Sequence, residues 1–409
     1  MHSRACPARL PCARAAYIPP MPRPLPDQPR LRRAHRASRA QFLLLGVAAG
    51  SFGAHVPELA TRHGLDARGL ALALLGTTTG SLLMLPVAGR VVGWLGARRT
   101  TVAAGWAFSA ALALVLTVPS GAALAATMVL LGAGEGVFDV AVNAEGTVLE
   151  EARGVPVMSG LHAMFSAGAM AGAGAAALLY RSGVPAASQL PAVAAVLAVA
   201  VTVSARGMLA HHPSRADAGA SLVRPRGALL LLGGLTLVAM LAEGVMYHWS
   251  VLYVREALGA PPARAALAYV SFSAATAATR LLGDAVRARV PEGRILRTGA
   301  LLGAGAMTLV LLAADPLVAL AGFFGVGVGI ATLVPILYAA ATRVPGVSRA
   351  AAIAAVSSVG YVGFLVGPPI VGAVANRAGL TAAMGTLVVA CLLVAVGSRW
   401  VPATTGAPR

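Results

Sequence analysis

Three polar side chains recur at an interval of four residues within an apolar part of the chain. Glu135, Asp139 and Asn143 lie in the segment GAGEGVFDVAVNAEG, residues 132–146. On a helix this interval places all three on one face. Two carboxylates one turn apart repel each other when both are ionised, and apolar surroundings favour the neutral form. We therefore predict Glu135 and Asp139 as proton-coupling residues and Asn143 as part of a solute cavity. An arginine or a helix end that held either carboxylate would instead make it structural.

A second group of candidates lies in the segment EGVMYHWSVLYVREALG, residues 243–259. Glu243 is the third proton-coupling candidate because an ionisable group inside an apolar helix is costly and commonly functional. Its aromatic neighbours could stack on a sugar or an aromatic solute, or could lie at the membrane interface, where such side chains collect. The predicted cavity residues here and later in the chain are Tyr247, His248, Trp249, Thr332 and Tyr338.

The composition indicates which elements position these residues. Hydrophobic residues make up 58% of the 409 residues and charged residues only 11%, whereas a soluble domain has about a quarter charged. The apolar runs are about as long as the roughly 20 residues that a helix needs to cross a bilayer. They show no alternation with period two, which excludes a membrane β-barrel. We predict an all-α integral membrane protein.

The apolar runs predict twelve transmembrane helices, here called spans. They cover 41–59, 69–91, 100–118, 122–149, 156–180, 188–206, 227–254, 264–287, 296–313, 317–341, 350–375 and 380–399. The predicted domains are a disordered Pro- and Arg-rich arm (1–39), a six-helix bundle (40–206), a linker (207–226), a second six-helix bundle (227–400) and a tail (401–409).

Arginines are distributed unevenly among the loops. The net charge is +18 and no lysine is present. Arg98 and Arg99 follow span two, Arg287 and Arg289 follow span eight, and Arg343 follows span ten. These loops lie on one side, together with the arm, the linker and the tail. The positive-inside rule then predicts cytoplasmic termini, and it accounts for the charge without nucleic acid.

The two halves of the chain repeat each other. GAGEGVFD at 132–139 matches GVGVGIAT at 325–332, and FSAG at 165–168 matches SSVG at 357–360. A common shift of about half the chain indicates an internal duplication. At this shift Glu135 corresponds to Val328 and Asp139 to Thr332, so the second half is predicted to lack the two carboxylates.

The loop after span two reads GRVVGWLGARR, residues 89–99. This loop resembles the signature of the major facilitator superfamily, in which a glycine is followed four positions on by an acidic residue and then by a glycine and basic residues. The matching residues, to which the resemblance gives a gating or structural role, are Gly89, Gly96, Arg98 and Arg99. Gly93 occupies the acidic position.

The loop after span eight begins RLLGD and is expected to share this gating role. Arg280 and Asp284 are four residues apart, so they can pair on one helix face. Segments 134–146, 157–172 and 243–259 further resemble a little-characterised bacterial branch of the superfamily, allied to sugar–proton symporters. The resemblance covers residues 40–400 and implies two six-helix repeats around an alternating-access cavity.

The predicted function is secondary active transport of a small organic solute, coupled to protons. A proton-driven exporter of drugs or metabolites is the alternative within transport. A transporter-like receptor or another non-transporting membrane protein is the alternative of another class. The predicted partners are the solute, protons and the lipid bilayer, with a monomeric chain and no nucleic acid. We predict no enzyme activity, cofactor or metal, because no GxSxG, HExxH, nucleotide-binding motif or Cys/His cluster is present.

Overall fold

The computed structural model describes residues 28–155, 157–209, 225–287, 289–347 and 349–401. All regular structure in these ranges is helical. Spans one to six are Gln28–Ala54 with Val56–Arg62, Ala67–Leu95, Ala97–Leu114, Gly121–Arg153, Met158–Arg181 and Ala186–Ala205. Spans seven to twelve are Ala228–Leu252 with Tyr253–Ala257, Pro262–Arg287, Glu292–Ala313, Pro316–Ile330 with Leu333–Ala341, and Arg349–Gly397, which holds the last two.

The helix Arg349–Gly397 contains two spans. Gly379 has φ 83° and ψ 167° and divides it into spans eleven and twelve. Span one is bent by 47° between its two helices. Ala97–Leu114 is only 18 residues long and carries Arg98 and Arg99 in its first turn, which lower its mean hydropathy. With these three features the prediction of twelve membrane-crossing helices is confirmed.

Short polar or glycine residues end and begin the spans. Asp66 caps span two through a hydrogen bond from the Gly69 amide, 2.7 Å long, and Ser120 caps span four in the same way from Ala123. Gly96 alone joins spans two and three and has φ 79°, a conformation that glycine adopts without strain. The predicted importance of Gly96 therefore has a direct backbone reason.

The first helix begins earlier than the sequence predicts. The disordered arm was expected to reach residue 39, whereas the helix begins at Gln28. Leu31, Ala34 and Ser38 are buried at helical spacing, so this arginine-rich segment has an apolar face. A Cβ on Gly207 would meet Ala37 at 2.9 Å, which places that face against the end of span six. The rest of the predicted arm, residues 1–27, lies outside the described residues, as do 210–224 of the linker and 402–409 of the tail.

The two halves pack their helices in the same way, which gives the register of the repeat. In the first half Gly132 of span four lies against the Thr77 carbonyl of span two, and in the second half Gly327 of span ten lies against the Phe272 carbonyl of span eight. Gly327 follows Gly132 by 195 positions, as Phe272 follows Thr77. A second pair of contacts repeats at nearly the same spacing: Gly168 on Leu43 and Gly363 on Leu237.

This register corrects the predicted one by two residues. Glu135 corresponds to Ile330 and Asp139 to Val334, instead of Val328 and Thr332. The error arose because glycine alternates at positions 325, 327 and 329, so the glycine pattern fits equally well after a shift of two. The conclusion that the second half lacks both carboxylates is unchanged, since Ile330 and Val334 are apolar.

We call the end with the loops after spans two, eight and ten the Arg-rich end, and the other the opposite end. The halves meet at the opposite end. There the ring of Tyr269 in span eight lies against Gly53 of span one, and Gly372 of span eleven packs on Ala67 and Ala71 of span two. Contacts at this end leave the space between the halves more open toward the Arg-rich end.

Candidate functional site

Span four presents a partly exposed strip toward the space between the halves. Glu135, Asp139 and Asn143 are half-buried, and Thr147, one turn further toward the Arg-rich end, is exposed. The residues on either side of Glu135, Gly134 and Gly136, are buried against spans three and two. The structure thus brings together the three residues predicted to share a face. The rise in exposure along the strip indicates that water reaches them from the Arg-rich end.

The two carboxylates of this strip differ in their hydrogen bonds. The Asn143 side-chain amide donates to Asp139 Oδ1 at 3.0 Å and to the Asp139 carbonyl at 2.9 Å. Within the described residues neither Glu135 nor Asp139 has an arginine or histidine within ion-pair distance. We refer to Glu135 and Asp139 as the span-four carboxylates.

Glu243 of span seven has a charged partner. Arg280 Nη2 of span eight donates to Glu243 Oε1 at 3.1 Å, and both side chains are largely buried, with 17% of Arg280 and 11% of Glu243 exposed. Arg280 Nη1 also donates to Ser166 Oγ of span five at 3.4 Å, and Nε to the Ala331 carbonyl of span ten at 3.4 Å. The guanidinium therefore joins three spans of the second half and one of the first.

Arg280 was predicted to pair with Asp284 near the loop. The structure instead places its guanidinium between the halves, on Glu243, because Arg280 lies two helical turns inside the end of span eight. The side chain of Asp284 lies outside the described residues, so a contribution from it stays a prediction. No local sequence pattern indicates this pair, since Glu243 is 37 residues away on another span.

The aromatic candidates separate into two environments. The Tyr247 ring lies 5.5 Å from that of Tyr269 and 5.2 Å from that of Phe272, and it is half-buried. Tyr338 and His248 are also half-buried. Trp249, by contrast, is only 1% exposed and packs in the core. The prediction that Trp249 lines the cavity is therefore wrong for this conformation, because a helix turns it away from Tyr247 toward its packed side.

Thr332 also lies away from the span-four strip. It is nearly buried at the break between the two helices of span ten, and its Cγ2 would be 3.6 Å from a Cβ on Gly283 of span eight. The corrected repeat register explains this position, since Thr332 is not the counterpart of Asp139. Thr332 lines a groove on the side of the second half and does not line the space between the halves.

At the Arg-rich end, the residues of the predicted loop signature are largely on the surface. Gly89, Arg98 and Arg99 are exposed, and Gly96 is buried at the turn. In the second half, Glu292 accepts hydrogen bonds from Arg287 at 2.8 Å and from Arg343 at 2.5 Å. This cluster links the ends of spans eight, nine and ten and was not predicted, although the Arg-rich loops and Glu292 were visible in the sequence.

Two further carboxylates of span four, Glu145 and Glu150, have structural contacts. Glu145 is 1% exposed and accepts a hydrogen bond from the Leu209 amide at 2.6 Å, beyond the end of span six. Glu150 accepts from the Val157 and Met158 amides at 2.6 and 3.0 Å and so caps span five. Glu145 lies two residues from Asn143, about 160° away around the helix if each residue turns it by about 100°. This offset could have shown from the sequence that Glu145 faces away from the strip of Glu135, Asp139 and Asn143.

The family model described as Major Facilitator Superfamily matches residues 40–344 and 231–409. An uncharacterised MFS-type transporter of Yersinia pestis is 30% identical over 363 residues, covering 89% of this chain and 94% of that protein. The membrane protein MosC of Rhizobium meliloti is 29% identical over 362 residues, covering 88% of each.

Two solved structures are similar in fold. A bacterial homologue of the human lysosomal transporter Spinster, in an inward-facing and occupied conformation, has a TM-score of 0.71 and covers 91% of this chain and 97% of its own. A D-xylose–proton symporter has a TM-score of 0.70 and covers 91% and 98%. Both are 14% identical in sequence, so the likeness concerns the fold alone.

Proposed function

The chain belongs to the major facilitator superfamily, and from this premise we propose that it is a secondary transporter that couples the movement of a small organic solute to protons. The observation that carries the coupling is the pair of span-four carboxylates. They are half-buried, lack an ion-pair partner among the described side chains, and lie on the face of span four that looks between the halves. A carboxylate in this position can bind a proton from the side to which the space is open.

Alternating access converts this proton binding into transport. When both span-four carboxylates are ionised, closing the space around them removes two like charges from water, which is unfavourable. When one is protonated, the same closure is less costly. A proton on Glu135 or Asp139 therefore favours the closed intermediate between the two open states, and this is the physical basis of the proposed coupling.

The Glu243–Arg280 pair supports the same proposal from the second half. Arg280 contacts Ser166 of the first half, so its position depends on how the halves are arranged. Tyr247 lies one helical turn after Glu243 and is half-buried. Its ring packs on the buried rings of Tyr269 and Phe272, and it offers an apolar ring face to a solute. We propose this region as the solute-binding side of the space.

Orientation follows from the arginine distribution. We propose that the Arg-rich end faces the cytoplasm of a bacterial cell, with both termini on that side. The conformation described above is then open to the cytoplasm. We further propose a monomeric transporter, because each half supplies one side of the central space and both halves belong to one chain.

The test uses purified protein in liposomes that contain a pH-sensitive dye. Small sugars, suggested by the D-xylose–proton symporter of similar fold, are added together with sugar acids and amino sugars. We expect one solute class to cause proton movement with the wild type and not with Glu135→Gln. Glu256→Gln is the matched control, since Glu256 is an exposed carboxylate at the opposite end. Solute flux that is indifferent to the proton gradient in the wild type would overturn the coupling.

A further inference from the structure

A groove opens on the side of the second half, between spans eight, nine and ten. Its volume is about 340 Å³. Leu282 and Val286 of span eight and Leu302 of span nine line it, and they are 65%, 44% and 47% exposed. Large apolar side chains that are exposed on a membrane span face hydrocarbon. The groove is therefore accessible from the bilayer and not from the central space.

Glycines let the helices that border the groove pack closely. Gly283 lies on one wall, and a Cβ there would already touch Thr332 on the floor. Gly299 lies on the facing helix, where a Cβ would come within 2.5 Å of the Gly329 carbonyl oxygen. The hydroxyl of Thr298 is bound to the Arg294 carbonyl at 2.8 Å, so it offers little to a polar ligand. This shape and lining suit an extended hydrocarbon chain.

The end of the groove nearest the Arg-rich end is basic. Arg287 lines the groove, and it shares the single carboxylate of Glu292 with Arg343. Two guanidinium groups on one carboxylate leave a net positive charge. Arg294 is exposed and lies one turn before Thr298, on the groove side of span nine. An apolar slot with a cationic end matches the two parts of an anionic phospholipid.

We propose that this groove is a binding site for an anionic phospholipid of the leaflet at the Arg-rich end. One acyl chain lies between spans eight and nine on the floor formed by Val328 and Thr332. The phosphate lies on Arg287 and Arg294, since guanidinium groups bind phosphate through paired donors. A zwitterionic lipid fits the slot equally well but gains less at the basic end, so the site selects by headgroup charge.

The site lies behind the segment that holds Arg280. Thr332 is at the break of span ten, between Ile330 and Leu333. The preceding residue, Ala331, accepts the hydrogen bond from Arg280 Nε. A chain packed on Thr332 therefore supports the backbone that orients Arg280 from the other side. Lipid binding itself is measured without transport, so its test does not depend on the proposed function.

The experiment compares phosphatidylglycerol with phosphatidylcholine of identical acyl chains, added to the purified full-length protein in detergent. Native mass spectrometry counts the retained lipids, and thermal unfolding reports the stabilisation that a bound ligand gives. We expect one phosphatidylglycerol to be retained about 25-fold more strongly, since each of the two arginines near the anionic headgroup contributes roughly a factor of five. Phosphatidylglycerol should also raise Tm more than phosphatidylcholine does.

Two variants locate the site. Arg294→Gln removes one of the two headgroup contacts and should reduce the preference for phosphatidylglycerol about fivefold. Thr298→Trp fills the slot and should abolish the excess Tm rise with phosphatidylglycerol. Arg99→Gln, an exposed arginine at the same end of the other half, should retain it. Equal retention of both lipids by the wild type would overturn the proposal without any variant. So would a full phosphatidylglycerol effect in Thr298→Trp, because binding would then be a surface charge effect outside the groove.

Discussion

Carboxylates inside the spans have different partners in the two halves. In the first half, the span-four carboxylates stand one turn apart without a cationic partner among the described side chains, and both keep some exposure. In the second half, Glu243 is 8% exposed and is bound to Arg280. A bare carboxylate near water can exchange its proton, whereas a paired one is held in its charged form by its neighbour. We therefore propose that the span-four carboxylates exchange the proton and that Glu243 and Arg280 link the halves.

The energetic consequences of the two arrangements also differ. Removing one partner of a buried ion pair leaves the other charge uncompensated, which costs about 3–5 kcal/mol. Removing a carboxylate that has no cationic partner relieves a burial cost instead of creating one. Removing one charge of the ion pair in the second half should therefore lower the free energy of unfolding, and removing an unpaired carboxylate in the first half should raise it.

The largest effect is expected for Arg280→Gln. The variant leaves Glu243 buried without its cation and also removes the contacts to Ser166 and the Ala331 carbonyl. We expect the free energy of unfolding to fall by about 3 kcal/mol. The measurement is unfolding of the purified protein in mixed micelles, followed by circular dichroism.

The control for this prediction is the double variant Glu243→Gln with Arg280→Gln. Because it removes both charges, it should be more stable than Arg280→Gln alone, and the cycle of single and double variants isolates the coupling between the two side chains. If the double variant is as unstable as the sum of the two single ones, Glu243 and Arg280 do not act as a pair.

The next effect has the opposite sign. Glu135→Gln replaces an ionisable group that lacks an ion-pair partner by a neutral one of the same shape, and it relieves repulsion with Asp139 one turn away. We expect the free energy of unfolding to rise by about 1 kcal/mol, in the same micelles and at neutral pH. A clear loss of stability would mean that Glu135 has a partner in the folded protein and would weaken the comparison.

A third prediction tests whether an ion pair at the end of the spans stabilises the protein less than the ion pair between the halves. Glu292 is paired with Arg287 and Arg343, but at the Arg-rich end, where about a third of each arginine side chain is exposed. The Glu292 side chain is only 10% exposed, but the two arginines that remain in Glu292→Gln reach water. Pairs whose charges can be hydrated contribute about 0–1 kcal/mol, so Glu292→Gln should cost about 1 kcal/mol, less than Arg280→Gln. High salt should reduce the difference between Glu292→Gln and the wild type, because screening weakens exposed pairs. Equal losses of stability in Glu292→Gln and Arg280→Gln would show that the position of an ion pair along the spans does not determine how much it contributes.

The spans, their number and the shared face of Glu135, Asp139 and Asn143 could be predicted from the sequence, because each depends on neighbours within one helix. Apolar length gives a span, and an interval of four gives a face. The partner of Glu243 could not be predicted from the sequence, because Arg280 belongs to another span. Asp284, the nearest acidic residue to Arg280 in sequence, offered a plausible local pair instead.

Packing between helices was the other source of error. The repeat was visible, but alternate glycines around Gly327 left its register open by two residues, and contacts between spans, such as that with Phe272, select one. Trp249 was placed in the cavity because its neighbours are polar and aromatic, whereas its burial depends on helices far away in sequence. Contacts between spans are thus the information that a single sequence lacks.

The smallest effect concerns the hydrogen bond that distinguishes Asp139 from Glu135. Asn143→Ala removes the donor at 3.0 Å from Asp139 Oδ1, and one such bond contributes about 0.5–1.5 kcal/mol. We expect a loss near the lower limit, because Asn143 is half-buried and water can replace the amide. Thr147→Ala is the matched control, one turn further along the same face, where the exposed hydroxyl bonds only to the Asn143 carbonyl. If Asn143→Ala and Thr147→Ala unfold alike, the amide does not stabilise the Asp139 carboxylate, and the two span-four carboxylates are equivalent in this respect.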